Sequence, residues 1–208
     1  MKTSPNSGNG VSQRRTAYYL LFFGLIWTFC SITFTLPALF SGEWAGALFS
    51  LIFVVIGVAL LLYALSILYS VRRVGTPQLT PSSTNLAIGE SFTTTLSHTF
   101  KNNVELTHIA VKLIFRETAT YQQGTDTKTV TYDHIHEEYE LPSGQYHANQ
   151  FLQETYDMQI PFDAMHTLNV RRNRLQWFVR IEASIPRLPD VIEEVELIVR
   201  PEYAEKAG

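Results

Sequence analysis

Two long stretches without a formal charge dominate the first third of this chain. From Thr16 to Gly42 there is no Asp, Glu, Lys or Arg, Glu43 stands alone, and from Trp44 to Val71 there is again none. Each run exceeds the roughly 20 apolar residues that cross a hydrocarbon core of about 30 Å. Two such runs so close together are expected to fold back as a transmembrane helical hairpin, with spans at about 17–40 and 44–71 and a turn at Ser41, Gly42 and Glu43. A cleaved signal peptide starting at Arg14 and Arg15 is the competing reading. Its apolar region would be much longer than the usual stretch of about 7 to 15 residues, and a second span follows at once.

Cations set the expected orientation, because Lys and Arg in short flanks stay on the cytoplasmic side. Lys2, Arg14 and Arg15 precede the first span, Arg72 and Arg73 follow the second, and the turn carries only Glu43. The tail 1–16 and everything after the hairpin are therefore expected in the cytoplasm, with the hairpin in a bacterial inner membrane. Tyr18, Tyr19 and Tyr69 at one interface and Phe40 and Trp44 at the other fit the preference of amphipathic rings for headgroup level. The sole cysteine, Cys30, lies inside the first span.

In lipid, close packing through small side chains is the main attraction between helices. The first span places Ala17, Gly24, Ser31 and Ala38 seven apart, with Thr28 and Thr35 on the same stripe; the second places Ser50, Gly57 and Ala64 likewise, with Gly46 one turn earlier. Helix packing is thus expected through Gly24, Thr28 and Ser31 against Gly46, Ser50 and Gly57. Folding at Gly42 sets Ala38 opposite Gly46, Thr28 near Gly57 and Leu21 near Ala64. A seven-residue repeat implies a left-handed crossing, and the hairpin offers a route to a homo-oligomer. Neither span holds an Asp, Glu, Lys or His, the usual marks of an ion path, so the pair reads as an anchor.

Past Gly75 the chain becomes Thr-, Val-, Ile- and Tyr-rich in short runs broken by Gly, Pro and Asn, a pattern of strands and turns. Phe92, Thr94, Leu96, His98 and Phe100 share one strand face, and Ile109, Val111, Leu113 and Phe115 another. Tyr156, Met158 and Ile160 repeat the alternation, as do Leu175, Trp177, Val179, Ile181 and Ala183, then Val195, Leu197 and Val199. Turn residues separate them at Lys101-Asn102-Asn103, Gln123-Gly124-Thr125-Asp126, Pro142-Ser143-Gly144 and Arg187-Leu188-Pro189-Asp190. About seven or eight strands so spaced favour two packed antiparallel sheets. Residues 76–208 are expected to form this all-β domain on the cytoplasmic side, with Trp177 as a core anchor and Phe178 on the alternate face. The composition break at Val74, Gly75 and Pro77 suggests a boundary that few contacts cross.

The last fifty or so residues carry a resemblance. Met158-Gln159-Ile160-Pro161, Asn173-Arg174-Leu175-Gln176-Trp177-Phe178-Val179-Arg180-Ile181, Ile185-Pro186-Arg187-Leu188-Pro189-Asp190 and Val195-Glu196-Leu197-Ile198-Val199-Arg200-Pro201 resemble the strand sequence of arrestin-like β-sandwich domains. The chain is similar to small bacterial membrane proteins of unassigned function with two N-terminal transmembrane helices and such a sandwich. The resemblance implies an antiparallel arrestin-like or immunoglobulin-like sandwich that works by binding other proteins and performs no catalysis. No residues in the sequence single out a buried charged core of the arrestin type.

Candidate chemistry is sparse. Residues 76–208 hold 11 of the 16 basic and 18 of the 19 acidic residues, a net −7, where nucleic acid would call for a basic face. On a regular strand His134, His136 and Glu138 share one side, a donor set that suits zinc; the bland alternative is a solvated strand face, and no cofactor or metal is expected. There is no Gly-x-Ser-x-Gly elbow, Walker loop, Rossmann glycine pattern or His-Glu-x-x-His helix. Arg171, Arg172 and Arg174 form the domain's one basic cluster, suited to anionic headgroups or an acidic partner. The expected function is a membrane-anchored scaffold or adaptor without enzymatic activity. The alternatives are a metal- or ligand-responsive sensor using the His134/His136 strand, and an accessory subunit of a larger membrane complex.

Overall fold

The computed structural model describes residues 10–42 and 44–201. Lys2 and Glu43, used above for orientation and the turn, lie outside the described residues, as do the last seven residues of the expected 76–208 domain.

Helices α1 (Gly10–Phe40) and α2 (Trp44–Val74) form the hairpin, and both are long and apolar enough to cross a membrane. Each ends at a glycine in the left-handed region, Gly42 at φ 76° and Gly75 at φ 90°, which side chains with a Cβ rarely adopt. Gly75 N–H closes the end of α2 by donating to Val71 O at 3.0 Å. The seven-residue stripes meet: Ala17, Gly24, Ser31 and Thr35 are buried on α1, and Ala47, Gly57 and Ala64 on α2. A Cβ added at Gly57 would collide with Thr28 Oγ1, and one added at Gly24 would come 3.0 Å from Leu61. Gly46 departs from the expectation. It is exposed, and Ala47 is buried in its place. Trp27 adds a polar tie that no stripe announces, its Nε1–H donating to Phe53 O at 3.0 Å across the hairpin.

Eleven strands follow: β1 (Gln78–Pro81), β2 (Asn85–Ala87), β3 (Ser91–Thr99), β4 (Val104–Leu106), β5 (His108–Gln123), β6 (Asp126–Glu140), β7 (Gly144–Tyr146), β8 (Phe151–Gln159), β9 (Leu168–Asn169), β10 (Asn173–Ser184) and β11 (Val191–Arg200). One sheet runs β1-β3-β8, the other β2-β11-β10-β5-β6 with β9 beside β10, and β4 pairs with β7. Pairing is antiparallel as expected, except that β2 lies parallel to β11. The alternating apolar residues of β3, β5, β10 and β11 form one core, with Leu86, Leu96, Trp177 and Ile181 among its most deeply buried members. The fold class is thus a helical hairpin followed by a β-sandwich.

The boundary between anchor and sandwich is not the sparse one expected. Val71 and Val74 of α2 belong to the sandwich core. His98 Nε2 donates to Val74 O at 2.7 Å, which fixes that nitrogen as the protonated one, and the ring stands edge-on to Phe100. Arg73 Nη2 donates to Asn103 O at 3.0 Å, and Gln13 of α1 exchanges hydrogen bonds with Asp190 O and Ile192 N. The composition break misleads here because Val71 and Val74 continue the apolar run of α2 in the sequence while the sandwich is what covers them. A domain beginning at Gly75 is therefore expected to be less stable than one beginning at Leu68, by about 3 kcal/mol for the two valines. Equal urea midpoints for the two would show that Val71 and Val74 contribute nothing to the sandwich.

Candidate interaction face

Strands β5, β6, β10 and β11 are long enough to carry a second, outward-facing layer of side chains. Their registers line up a row across four strands: Glu138, Lys112, Arg180 and Glu194. Lys112 and Arg180 stand directly opposite one another, an arrangement that like charges destabilise unless anions surround them. The anions are present. Arg180 donates from Nε to Glu194 Oε1 at 2.6 Å, from Nη2 to Asp133 Oδ2 at 2.6 Å and from Nη1 to Glu182 Oε1 at 3.0 Å. Arg116 grips Asp133 with two bonds of 2.7 and 2.9 Å and Glu194 with two of 3.1 and 2.9 Å, its guanidinium 4.7 Å above the Phe178 ring. Lys112 Nζ lies 2.7 Å from Glu182 and 3.1 Å from Glu138. The Arg116 bonds hold the Asp133 carboxyl below the ordinary carboxylate range. Burial works to raise Glu182, but Lys112 and Arg180 outweigh it and the net shift is downward. Sequence reading missed this network because its members are scattered over four strands and only register brings them together.

The shared face expected for His134, His136 and Glu138 is broken by a β-bulge. Leu113 pairs with Glu137 and Ile114 with Ile135, so His136 is an inserted residue. His134 falls opposite Phe115 on the core side, while Glu138 falls opposite Lys112 on the outer side and is ion-paired there. The two imidazoles extend an aromatic strip: His136 lies 4.9 Å from the Trp177 ring and His134 4.9 Å from Tyr132. Burial lowers the His136 pKa. A different group, His108, Glu138 and Glu140, places its ligand atoms within 4.8 Å of one another, but the Lys112 ammonium already neutralises Glu138.

Arg171, Arg172 and Arg174 stand exposed at the start of β10, whereas its other end pairs through Ala183 with Val191, whose neighbours Asp190 and Ile192 bond Gln13 of α1. Ten residues of strand separate Arg174 from Ser184, about 33 Å at roughly 3.3 Å per residue. The cluster therefore lies at the end of β10 remote from the helices. The same distal end exposes Phe162, Met165, Val170, Val130 and Tyr132. Trp177 fixes the segment 161–170 by donating its Nε1–H to Met165 O at 2.9 Å, and Thr167 N–H donates to Val199 O at 2.8 Å. Beside it a groove of about 620 Å³ runs over Arg174, Arg116, Thr118, Thr129 and Thr131.

No family model matches this sequence, and a comparison with curated proteins finds no match. Among solved structures, the sporulation control protein Spo0M from Bacillus subtilis is similar, at 12% identity and a TM-score of 0.48 over 61% of this chain. The match spans about half of that protein, 49% of its length.

Proposed function

We propose that this protein is a membrane-anchored, non-catalytic adaptor. The hairpin fixes it in a bacterial inner membrane with both ends cytoplasmic, and the distal end of the sandwich takes a protein partner. The supporting observation is the composition of that end. Exposed Phe162, Met165 and Tyr132 beside three arginines are the residue types enriched at protein interfaces, and the segment carrying two of them is held by the Trp177 hydrogen bond. A second reading, membership of a larger membrane assembly, is favoured by an aromatic groove of about 420 Å³ between the helices, lined by Phe23, Trp27, Phe34, Phe49 and Phe53.

Site-specific photocrosslinking in cells tests the adaptor reading. A crosslinker at position 162 or 165 is expected to trap one discrete partner, while one at exposed Gln153 on β8 traps none. Arg171→Ala, Arg172→Ala and Arg174→Ala together are expected to weaken the crosslink at low salt, and the difference from the native chain is expected to shrink as salt is raised, since exposed charges are screened beyond about 8 Å at physiological ionic strength. Equal yields from all three crosslinking positions would refute a dedicated distal surface. Protease added to intact cells should leave the sandwich untouched and should remove it from inside-out vesicles; the reverse would overturn the orientation.

A further inference from the structure

The end of the sandwich nearest the helices holds a cavity of about 430 Å³. Arg73 of α2, Asn103, Glu105 of β4, Gln145 of β7 and the apolar pair Ile185 and Leu188 form its walls. Glu105 and Gln145 are cross-strand partners, so their exposed side chains stand side by side on the small β4-β7 sheet. Arg73 commits one donor to Asn103 O and lies 5.6 Å from the Tyr69 ring centre; its guanidinium makes no other hydrogen bond among the described residues. Beside the imidazole of His147, the cavity thus offers one permanent cation with free donors and one carboxylate. A net anionic ligand would leave Glu105 facing like charge, and a cation alone would leave Arg73 unused. The complement is a zwitterion that carries an anionic oxygen group and an ammonium a few ångströms apart.

Position narrows the class further. Arg72 and Arg73 close the apolar run of α2, and Arg14 and Arg15 open that of α1, so the cavity lies at the level where a bilayer containing these helices places its headgroups. Ile185 and Leu188 give it an apolar wall of the kind a glycerol backbone can lie against. We propose that this cavity binds an amino-phosphodiester headgroup, the phosphate against Arg73 and the primary ammonium against Glu105. The inference rests on the membrane placement proposed above.

The test uses the full chain extracted from bilayers of equal parts dioleoyl phosphatidylethanolamine, phosphatidylglycerol and phosphatidylcholine, with retained lipid read by native mass spectrometry. Phosphatidylethanolamine is expected to be enriched roughly fivefold over the other two, the factor that one charged contact near a membrane surface supplies. Glu105→Gln should erase its advantage over phosphatidylglycerol, and Arg73→Gln should lower retention of all three while circular dichroism shows the fold intact. Binding of soluble glycerophosphoethanolamine that both substitutions abolish, without lipid enrichment, would keep the same site and assign it a soluble ligand. Equal retention of the three lipids together with no binding of the soluble compound overturns the inference, as does retention that neither substitution changes. A chain that alkaline carbonate strips from membranes would instead sink the membrane placement itself.

Discussion

Replacing Trp177 by alanine is expected to destabilise the sandwich by about 3 to 5 kcal/mol, the range for emptying a large aromatic site in a packed core. The indole is 1% exposed and lies 5.0 Å from the Phe115 ring, and its N–H holds the Met165 carbonyl. The substitution removes packing and an anchor together, so amide exchange should quicken through 165–168. Phe178, on the opposite face, looks from the alternation like the cheaper position. It is nevertheless only 8% exposed, because Arg116 covers its ring and Ile114 lies beside it on β5. Phe178→Ala is therefore expected near the bottom of that same range, about 3 kcal/mol, with exchange at 165–168 unchanged. Chemical denaturation followed by circular dichroism reads both. Losses below about 1 kcal/mol at both positions would mean that the strand does not lie between two covered faces.

The difference between those two residues shows what period-two alternation can and cannot report. It identified the inward faces of β3, β10 and β11 correctly, because one face of each meets the other sheet and must be apolar. It could not report that Ala110, Ile114 and Phe178 on the outward face are also buried, since the cover of an outward face includes polar residues such as Arg116, which lies over the Phe178 ring. The bulge at His136 was invisible for a related reason. Nothing in Asp133-His134-Ile135-His136-Glu137-Glu138 marks an inserted residue; it is set by pairing with β5, and it moves Glu138 to the opposite side from His134. The helical stripe was legible because both helices carry it, and it departs from the structure at Gly46, which is exposed while its neighbour Ala47 is buried. The junction was the least legible part. An apolar residue at a span's end looks the same whether lipid or the sandwich covers it, and Val71 and Val74 are covered by the sandwich.

Glu194→Ala should cost a similar amount, about 3 kcal/mol or more, since removing one partner from a largely desolvated ion cluster strands the charges that faced it. Both Arg116 and Arg180 donate to Glu194, and among the described residues their other side-chain bonds go to Asp133, which they share, and to Glu182, which Lys112 also engages. Glu194→Gln, which keeps one acceptor oxygen, should lose less. Acid provides an independent reading of the same cluster. Asp133 and Glu182 have folded pKa values below their unfolded ones, so they add stability above about pH 4, and that contribution fades as pH falls through the folded values. His98 shifts the same way for a different cause: burial lowers its pKa, so the neutral ring that ties β3 to Val74 is favoured, and its contribution begins to fade below about pH 6.5. The stability of the full chain in micelles is thus expected to fall in two stages on acidification. His98→Asn should shrink the upper stage to the part that His136, also lowered by burial, contributes and should leave the lower, while Asp133→Asn should shrink the lower to the part Glu182 contributes and should leave the upper. A single acid transition that neither substitution moves would mean that the outer-face network and the helix joint are not the groups whose protonation the fold resists.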